Sequence, residues 1–150
     1  MTDALPKMLI LPGITKAGGA HDSHGLLDRD SAKGYAEARG YQPLVLDLAD
    51  SYAGPGARQV NASLKLIRQG PAIAALYGFS GGGYNLRHVI AKLRKDERSR
   101  IKLVVVIGAP NVSAKAFEGP WELVYRKDPK QGHMEGPKVL LAEYEASQPA

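Results

Sequence analysis

The sequence predicts an α/β fold, a three-layer α/β/α sandwich built on a mostly parallel sheet of about five strands. Short apolar runs alternate with amphipathic segments, which is the pattern of strands joined by covering helices. The runs are near-continuous rather than alternating, as expected for strands that are buried on both faces. With 150 residues, the chain has the common size of one domain, so we expect a single domain over residues 1–150.

Five apolar runs are the predicted strands, and the segments between them read as helices. The strands are expected over residues 8–11, 44–48, 72–77, 101–107 and 121–125. The helices are expected over residues 30–39, 58–69, 81–95 and 138–145. Gly40 and Gly70 follow the first two helices and are predicted C-caps. Basic residues cluster between 87 and 102, which favours a solvated helix end rather than an anion-binding surface.

Composition excludes several classes of protein. Hydrophobic residues make up 44% and charged residues 23%, which is typical of a packed, water-soluble protein. The absence of cysteine excludes thiol nucleophiles and Cys-based metal sites. No apolar run approaches the ~20 residues of a membrane span, and the N-terminus does not resemble a signal peptide. We therefore predict a cytoplasmic protein with no membrane partner, and the net charge of +5 alone does not indicate a specific nucleic-acid partner.

The strongest motif is the glycine-rich turn around Ser80. Residues 78–82 read Gly-Phe-Ser-Gly-Gly, which fits G-x-S-x-G between a predicted strand and a predicted helix. The glycines permit a tight, strained turn that exposes Ser80. The helix that follows offers free N–H groups to a developing oxyanion. We expect Gly81 N–H to be one donor, and Gly13 or Ile14 N–H, after the first strand, to be the second.

A serine hydroxyl needs a base to become a nucleophile, and histidine is the usual one near neutral pH. The chain has four histidines. His133 is the favoured candidate because it follows the last predicted strand in a loop that contains glycines. His88 lies about two turns along the helix after Ser80 and is expected to point away.

The acid that would orient His133 is less well defined. Asp128 lies between Ser80 and His133 in the chain and is the first acidic candidate. It shares the loop 127–136 with His133, so five residues must curl for the two side chains to meet. Asn111, after the fourth strand, and Glu135 are alternatives that the sequence leaves open.

Three segments resemble those of one enzyme superfamily. Residues 10–14 (ILPGI), 78–82 (GFSGG) and 132–134 (GHM) are similar to the oxyanion strand, nucleophile elbow and histidine loop of α/β-hydrolases. The resemblance covers nearly the whole chain. It implies a minimal α/β-hydrolase-like core without a cap domain, and serine esterase chemistry on a small-molecule ester. Neither a cofactor nor a metal is expected.

Two other interpretations stay open. An inactive hydrolase-like scaffold would use the helix N-terminus at Gly81 to hold a small anion, or would bind a protein partner. A flavodoxin-like phosphate site is disfavoured because residues 78–83 match neither G-x-G-x-x-G nor a P-loop. In the first loop, His21, Asp22 and His24 are expected to be solvated rather than to bind a metal, although this loop is long enough to cover Ser80. The sequence does not predict an oligomeric state.

Overall fold

A computed structural model describes residues 5–13, 26–46, 54, 56–109 and 112–149. Within these residues, the predicted three-layer α/β/α architecture is confirmed, and its five strands are all paired in parallel. The strands are β1 (Lys7–Leu11), β2 (Gln42–Val45), β3 (Ile73–Phe79), β4 (Leu103–Ile107) and β5 (Glu122–Arg126). The helices are α1 (Ala32–Ala38), α2 (Arg58–Arg68), α3 (Gly81–Lys92), α4 (Lys95–Arg100) and α5 (Gly136–Ser147). Two short 3₁₀ turns cover Ala114–Phe117 and His133–Glu135.

Sheet order places the predicted site at one edge of the sheet. The strands follow the order β2-β1-β3-β4-β5, so the chain reverses its direction of strand addition between β1 and β3. The register pairs Leu11 with Gly78, Phe79 with Ile107, and Ile107 with Arg126. The carboxyl ends of four strands therefore lie side by side at the point where open α/β sheets bind ligands.

Each face of the sheet is covered by two of the longer helices. One apolar layer packs α2 and α3 onto alternate residues of the strands, among them Leu9, Leu76 and Val104. The other packs α1 and α5 onto the intervening residues, among them Ile10, Tyr77 and Val105. This two-sided burial is the reason why the strands read as continuous apolar runs.

The prediction of one helix over residues 81–95 is wrong at its C-terminal end. Helix α3 ends at Lys92, Leu93 is extended (ψ 138°), and α4 begins at Lys95. The carboxylate of Glu97 accepts hydrogen bonds from the Arg94 N–H at 2.8 Å and from Arg68 Nε at 3.0 Å. Because Glu97 is only 2% exposed, this ion pair fixes a new helix start, and the charged segment is not a purely solvated helix end.

Smaller differences concern the ends of the elements. The predicted positions 47 and 48 of the second strand lie outside the described residues. Helix α5 begins earlier than expected, with Pro137 in its first turn. Gly40 adopts the left-handed conformation of a C-cap (φ 89°), whereas Gly70 does not. No helix of the described residues is long and apolar enough to cross a membrane.

Candidate active site

Ser80 occupies a strained turn between β3 and α3. Its backbone has φ 56° and ψ −122°, and within the described residues it alone among non-glycine residues has a positive φ. Such a conformation costs about 1–3 kcal/mol and persists only where the surroundings impose it. The Ser80 N–H donates to the carbonyl of Ile107 at 2.9 Å, and the Ser80 carbonyl accepts from the Gly83 N–H at 2.9 Å. The chain therefore passes from strand to helix at this one residue.

Glycines on both sides of Ser80 make this turn sterically possible. A Cβ atom on Gly78 would lie 2.8 Å from the Cα of Gly83. A Cβ atom on Gly82 would lie 2.1 Å from the carbonyl oxygen of Leu11. The first turn of α3 is thus in direct backbone contact with the end of β1.

Ser80, His133 and Asp128 form one chain of hydrogen bonds. The His133 Nε2 to Ser80 Oγ distance is 2.9 Å, and the His133 Nδ1 to Asp128 Oδ1 distance is 2.7 Å. If Nδ1 carries the proton and donates to the carboxylate, Nε2 is left to accept the proton of the Ser80 hydroxyl. Asp128 and His133 therefore meet within their shared loop.

Gly108 makes room for the paired side chains of Asp128 and His133. It follows β4 directly, has φ 63°, and donates its N–H to the carbonyl of Arg126 at 2.9 Å. A Cβ atom on Gly108 would lie 2.6 Å from Asp128 Oδ1 and 3.1 Å from His133 Cε1. The backbone of Gly108 therefore packs directly against the Asp128 carboxylate and the His133 imidazole.

The ring of Phe79 holds one face of the His133 imidazole. The two ring centroids are 5.0 Å apart and the planes differ by 23°. Phe79 is 1% exposed, whereas the His133 side chain is 38% exposed. A rigid buried ring therefore restrains an imidazole that is partly exposed to solvent.

The segments proposed for the oxyanion hole are neighbours. Gly81 is the first residue of α3, where backbone N–H groups have no partner within the helix. Gly13 is buried and follows Pro12, whose carbonyl oxygen lies 2.5 Å from the position of a Cβ atom on Gly82. Ile14, the alternative second donor, lies outside the described residues.

The other candidates from the sequence do not join this cluster in the described structure. His88 contacts Arg87 at 3.1 Å through its Nε2 atom. Its pKa is lowered by partial burial and by the positive charges of Arg87 and Lys92. Glu135 is exposed and lies in the 3₁₀ turn with His133, while the Nδ1 atom of His133 is bonded to Asp128.

Several candidates lie outside the described residues. These are Asn111 and the loop residues His21, Asp22 and His24. Within the described ranges, no group of three or more His, Asp or Glu side chains is arranged to hold a metal ion.

Sequence reasoning missed the roles of Phe79 and Gly108. Phe79 occupies the variable position before Ser80 in the motif. An aromatic residue at the end of a buried strand could have indicated a ring that packs against a side chain of the site. Gly108 follows the fourth strand at the edge where the site lies, and a glycine there indicates close approach by another segment. Neither signal identifies its partner, because His133 and Asp128 are contributed by a distant loop.

Comparisons with known proteins give only distant similarity. No protein-family model matches the sequence, and no curated protein matches it. An extracellular α/β-hydrolase from a Paenibacillus species is 18% identical with a TM-score of 0.43, over 69% of this chain and 41% of that one. A Bacillus licheniformis lipase in its mature form is 16% identical with a TM-score of 0.48, over 97% of this chain and 60% of that one. The chain thus spans less than two thirds of the length of either structure.

Proposed function

We propose that this chain is a serine hydrolase that cleaves small ester substrates. Ser80 is the nucleophile, His133 the general base and Asp128 the acid that orients it. The observation that carries the proposal is the continuous pair of hydrogen bonds, 2.9 and 2.7 Å long, from Ser80 through His133 to Asp128. A serine that only caps a helix has no need of such a relay.

The first step transfers the acyl group to the enzyme. Ser80 Oγ forms a bond to the substrate carbonyl carbon while His133 Nε2 accepts the hydroxyl proton. The carbonyl electron pair moves to oxygen, and this oxyanion accepts hydrogen bonds from Gly81 N–H and from Gly13 or Ile14 N–H. The carbon–oxygen bond of the leaving group then breaks, and His133 returns the proton to the departing alcohol.

The second step regenerates the enzyme. A water molecule donates its proton to His133 Nε2 as its oxygen attacks the acyl carbon of the Ser80 ester. The same N–H donors hold the second oxyanion. The bond between Ser80 Oγ and the acyl carbon breaks, His133 protonates Ser80, and the carboxylic acid leaves.

Solvent exposure affects the contribution of Asp128. Its side chain is 46% exposed, so its attraction to the imidazolium that forms during acylation is partly screened by water. Its hydrogen bond to Nδ1 also selects the tautomer in which Nε2 accepts a proton. Asp128 therefore acts more as an orienting group than as a counter-charge.

The same exposure bears on the substrate. The His133 side chain is 38% exposed, which suits small esters or ester groups presented on a surface. The cytoplasmic location predicted from the sequence stays a prediction.

Hydrolysis of p-nitrophenyl acetate and butyrate tests this proposal. Ser80→Ala and His133→Gln should each lower kcat/KM by about 1,000-fold or more. The matched controls are Ser99→Ala, a serine on α4 that bonds a backbone carbonyl, and His88→Gln on α3. Both controls should retain wild-type activity.

The outcomes separate the proposal from its alternative. Turnover that survives in Ser80→Ala would overturn the assignment of the nucleophile. A wild-type protein without turnover near neutral pH would favour the inactive scaffold that binds an anion or a protein partner.

A further inference from the structure

We infer that Gln59 and Asn85 are positioning residues for the oxyanion hole. They connect its two halves, the start of α3 with the Gly81 N–H and the segment after β1 with the Gly13 N–H. The inference rests on the proposed function and adds to it two side chains that do not touch the reacting atoms. Both are polar residues that are fully buried, at 0% exposure. Neither belongs to the hydrogen-bond relay of Ser80, His133 and Asp128.

A short chain of hydrogen bonds links these residues to the end of β1. Gln59 Nε2 donates to the carbonyl oxygen of Pro12 at 3.2 Å. Asn85 Nδ2 donates to Gln59 Oε1 at 2.7 Å, and the N–H of Gly54 donates to Asn85 Oδ1 at 3.0 Å. The network therefore connects α2, α3, the loop before α2 and the first residue after β1.

Packing alone does not account for the two amides. They lie in the layer between the sheet and helices α2 and α3, among apolar neighbours such as Val60 and Leu86. A buried amide without partners costs about 1–3 kcal/mol, and apolar side chains of equal size would fill the same space without that risk. What the amides provide beyond packing is a fixed hydrogen bond to the Pro12 carbonyl.

That hydrogen bond controls the direction of the next N–H. The peptide bonds of the described residues are not cis, and in a trans peptide the carbonyl and the following N–H point in opposite directions. Fixing the Pro12 carbonyl therefore fixes the direction of the Gly13 N–H. Glycine at position 13 offers little resistance to rotation of this peptide, so an external restraint is needed.

The network also reaches the other half of the hole. Asn85 lies on α3 four residues after Gly81, one helical turn from the first proposed donor. Gln59 joins Asn85 to Pro12, and the Pro12 carbonyl oxygen lies against Gly82 in the first turn of the same helix. Helix α3, which carries the Gly81 donor, and the segment after β1, which carries the Gly13 donor, are thus connected by the side chains of Gln59 and Asn85. This connection keeps the distance between the two donors constant.

The test separates transition-state stabilisation from substrate binding and from folding. In Gln59→Met, which is nearly isosteric, kcat for p-nitrophenyl butyrate should fall about 10- to 100-fold while KM stays within twofold, because only the oxyanion loses alignment with its donors. The inhibition constant of phenylboronic acid, whose tetrahedral adduct on serine mimics the oxyanion, should rise by a similar factor. The double variant Gln59→Met/Asn85→Leu leaves neither amide orphaned and should show the same kinetic pattern.

Ser63→Ala is the matched control. Ser63 is on α2, is fully buried, and its hydroxyl has no hydrogen-bond partner within the described part of the chain. This variant should keep the wild-type kcat and boronic acid affinity.

The inference is overturned if a folded Gln59→Met or double variant keeps kcat within twofold of Ser63→Ala. A double variant that does not fold would assign the pair to stability and would overturn it as well. If the wild-type protein shows no Ser80-dependent turnover, the proposed function itself fails, and that result is distinct from either of these.

Discussion

Replacing Gly108 by alanine should distort the contact between Asp128 and His133 while leaving the fold intact. The new methyl group would lie 2.6 Å from Asp128 Oδ1 and 3.1 Å from His133 Cε1. A carbon and an oxygen in ordinary contact are at least about 3.4 Å apart, so the carboxylate must retreat by about 0.8 Å. A retreat straight away from the methyl group lengthens the 2.7 Å hydrogen bond to Nδ1 to about 3.0 Å and turns the carboxylate out of line with the imidazole.

The effect on activity follows from the size of this displacement. Misplacing a catalytic group by about 1 Å costs on the order of 100-fold in rate, so we expect kcat/KM for p-nitrophenyl esters to fall about 30- to 100-fold. The left-handed backbone at Gly108 adds a stability cost of about 1 kcal/mol for alanine, which lowers Tm by about 2–4 °C.

Gly40→Ala provides the control for backbone strain without a clash. Gly40 also has a positive φ (89°), but nothing lies within 4 Å of its Cβ position. It should lose a similar amount of Tm and keep full activity. If Gly108→Ala has the same kcat/KM as Gly40→Ala, Asp128 does not act through the contact described above.

Other parts of the structure are tested by three further variants, Gly82→Ala, Asp128→Asn and Glu97→Gln. Gly82→Ala should prevent folding or stable expression. Its Cβ would lie 2.1 Å from the Leu11 carbonyl oxygen, and neither backbone segment can move away within the fold. A soluble variant with the wild-type Tm would contradict this prediction. Asp128→Asn should lower kcat, measured by steady-state kinetics, about 100-fold. This loss is smaller than for a buried triad acid, since the carboxylate is 46% exposed. A kcat equal to that of the wild type would show that Asp128 does not orient His133.

Glu97→Gln should lower stability by about 1–2 kcal/mol at neutral pH. Burial opposes ionisation of Glu97, but hydrogen bonds from the Arg94 backbone and the Arg68 side chain outweigh it and hold its pKa below the usual 4.5. A depressed acid pKa stabilises the folded state fully above the unfolded pKa, and this gain is lost as the pH falls through the folded pKa. Urea unfolding from pH 7 to pH 3 should therefore show the two proteins converging in acid, and a constant difference would contradict the ion pair.

The parts of the fold that sequence predicts well are those set by burial. Strands such as Leu103–Ile107 are apolar at every position because helices cover both faces of the sheet. The Ser80 turn can also be predicted from the sequence. Its glycines are required because Gly78 packs against Gly83, which is near in sequence, and Gly82 packs against Leu11 at the end of the neighbouring strand. Local pattern and global packing agree at these positions.

The parts that sequence does not predict depend on contacts between distant segments. The break after Lys92 comes from Glu97 pairing with Arg68, on a different helix, whereas the apolar stripe alone continues through Leu93. The meeting of Asp128 and His133 depends on the left-handed backbone of Gly108, which belongs to another strand end.

The Gln59 and Asn85 network left a weak signal. Gln59, Ser63 and Ile67 lie at spacings of four on the buried face of α2, so the position of Gln59 on a buried face was readable. Its partner was not, because Asn85 is 26 residues away and its amide is indistinguishable by sequence from one exposed to solvent.

Activation of the Ser80 nucleophile by His133 can be measured by reaction with a fluorophosphonate, followed by peptide mapping with mass spectrometry. We predict a single adduct on Ser80 in the wild-type protein and in His88→Gln, and labelling at least about 100-fold slower in His133→Gln. An adduct on another residue, or an unchanged labelling rate in His133→Gln, would contradict it.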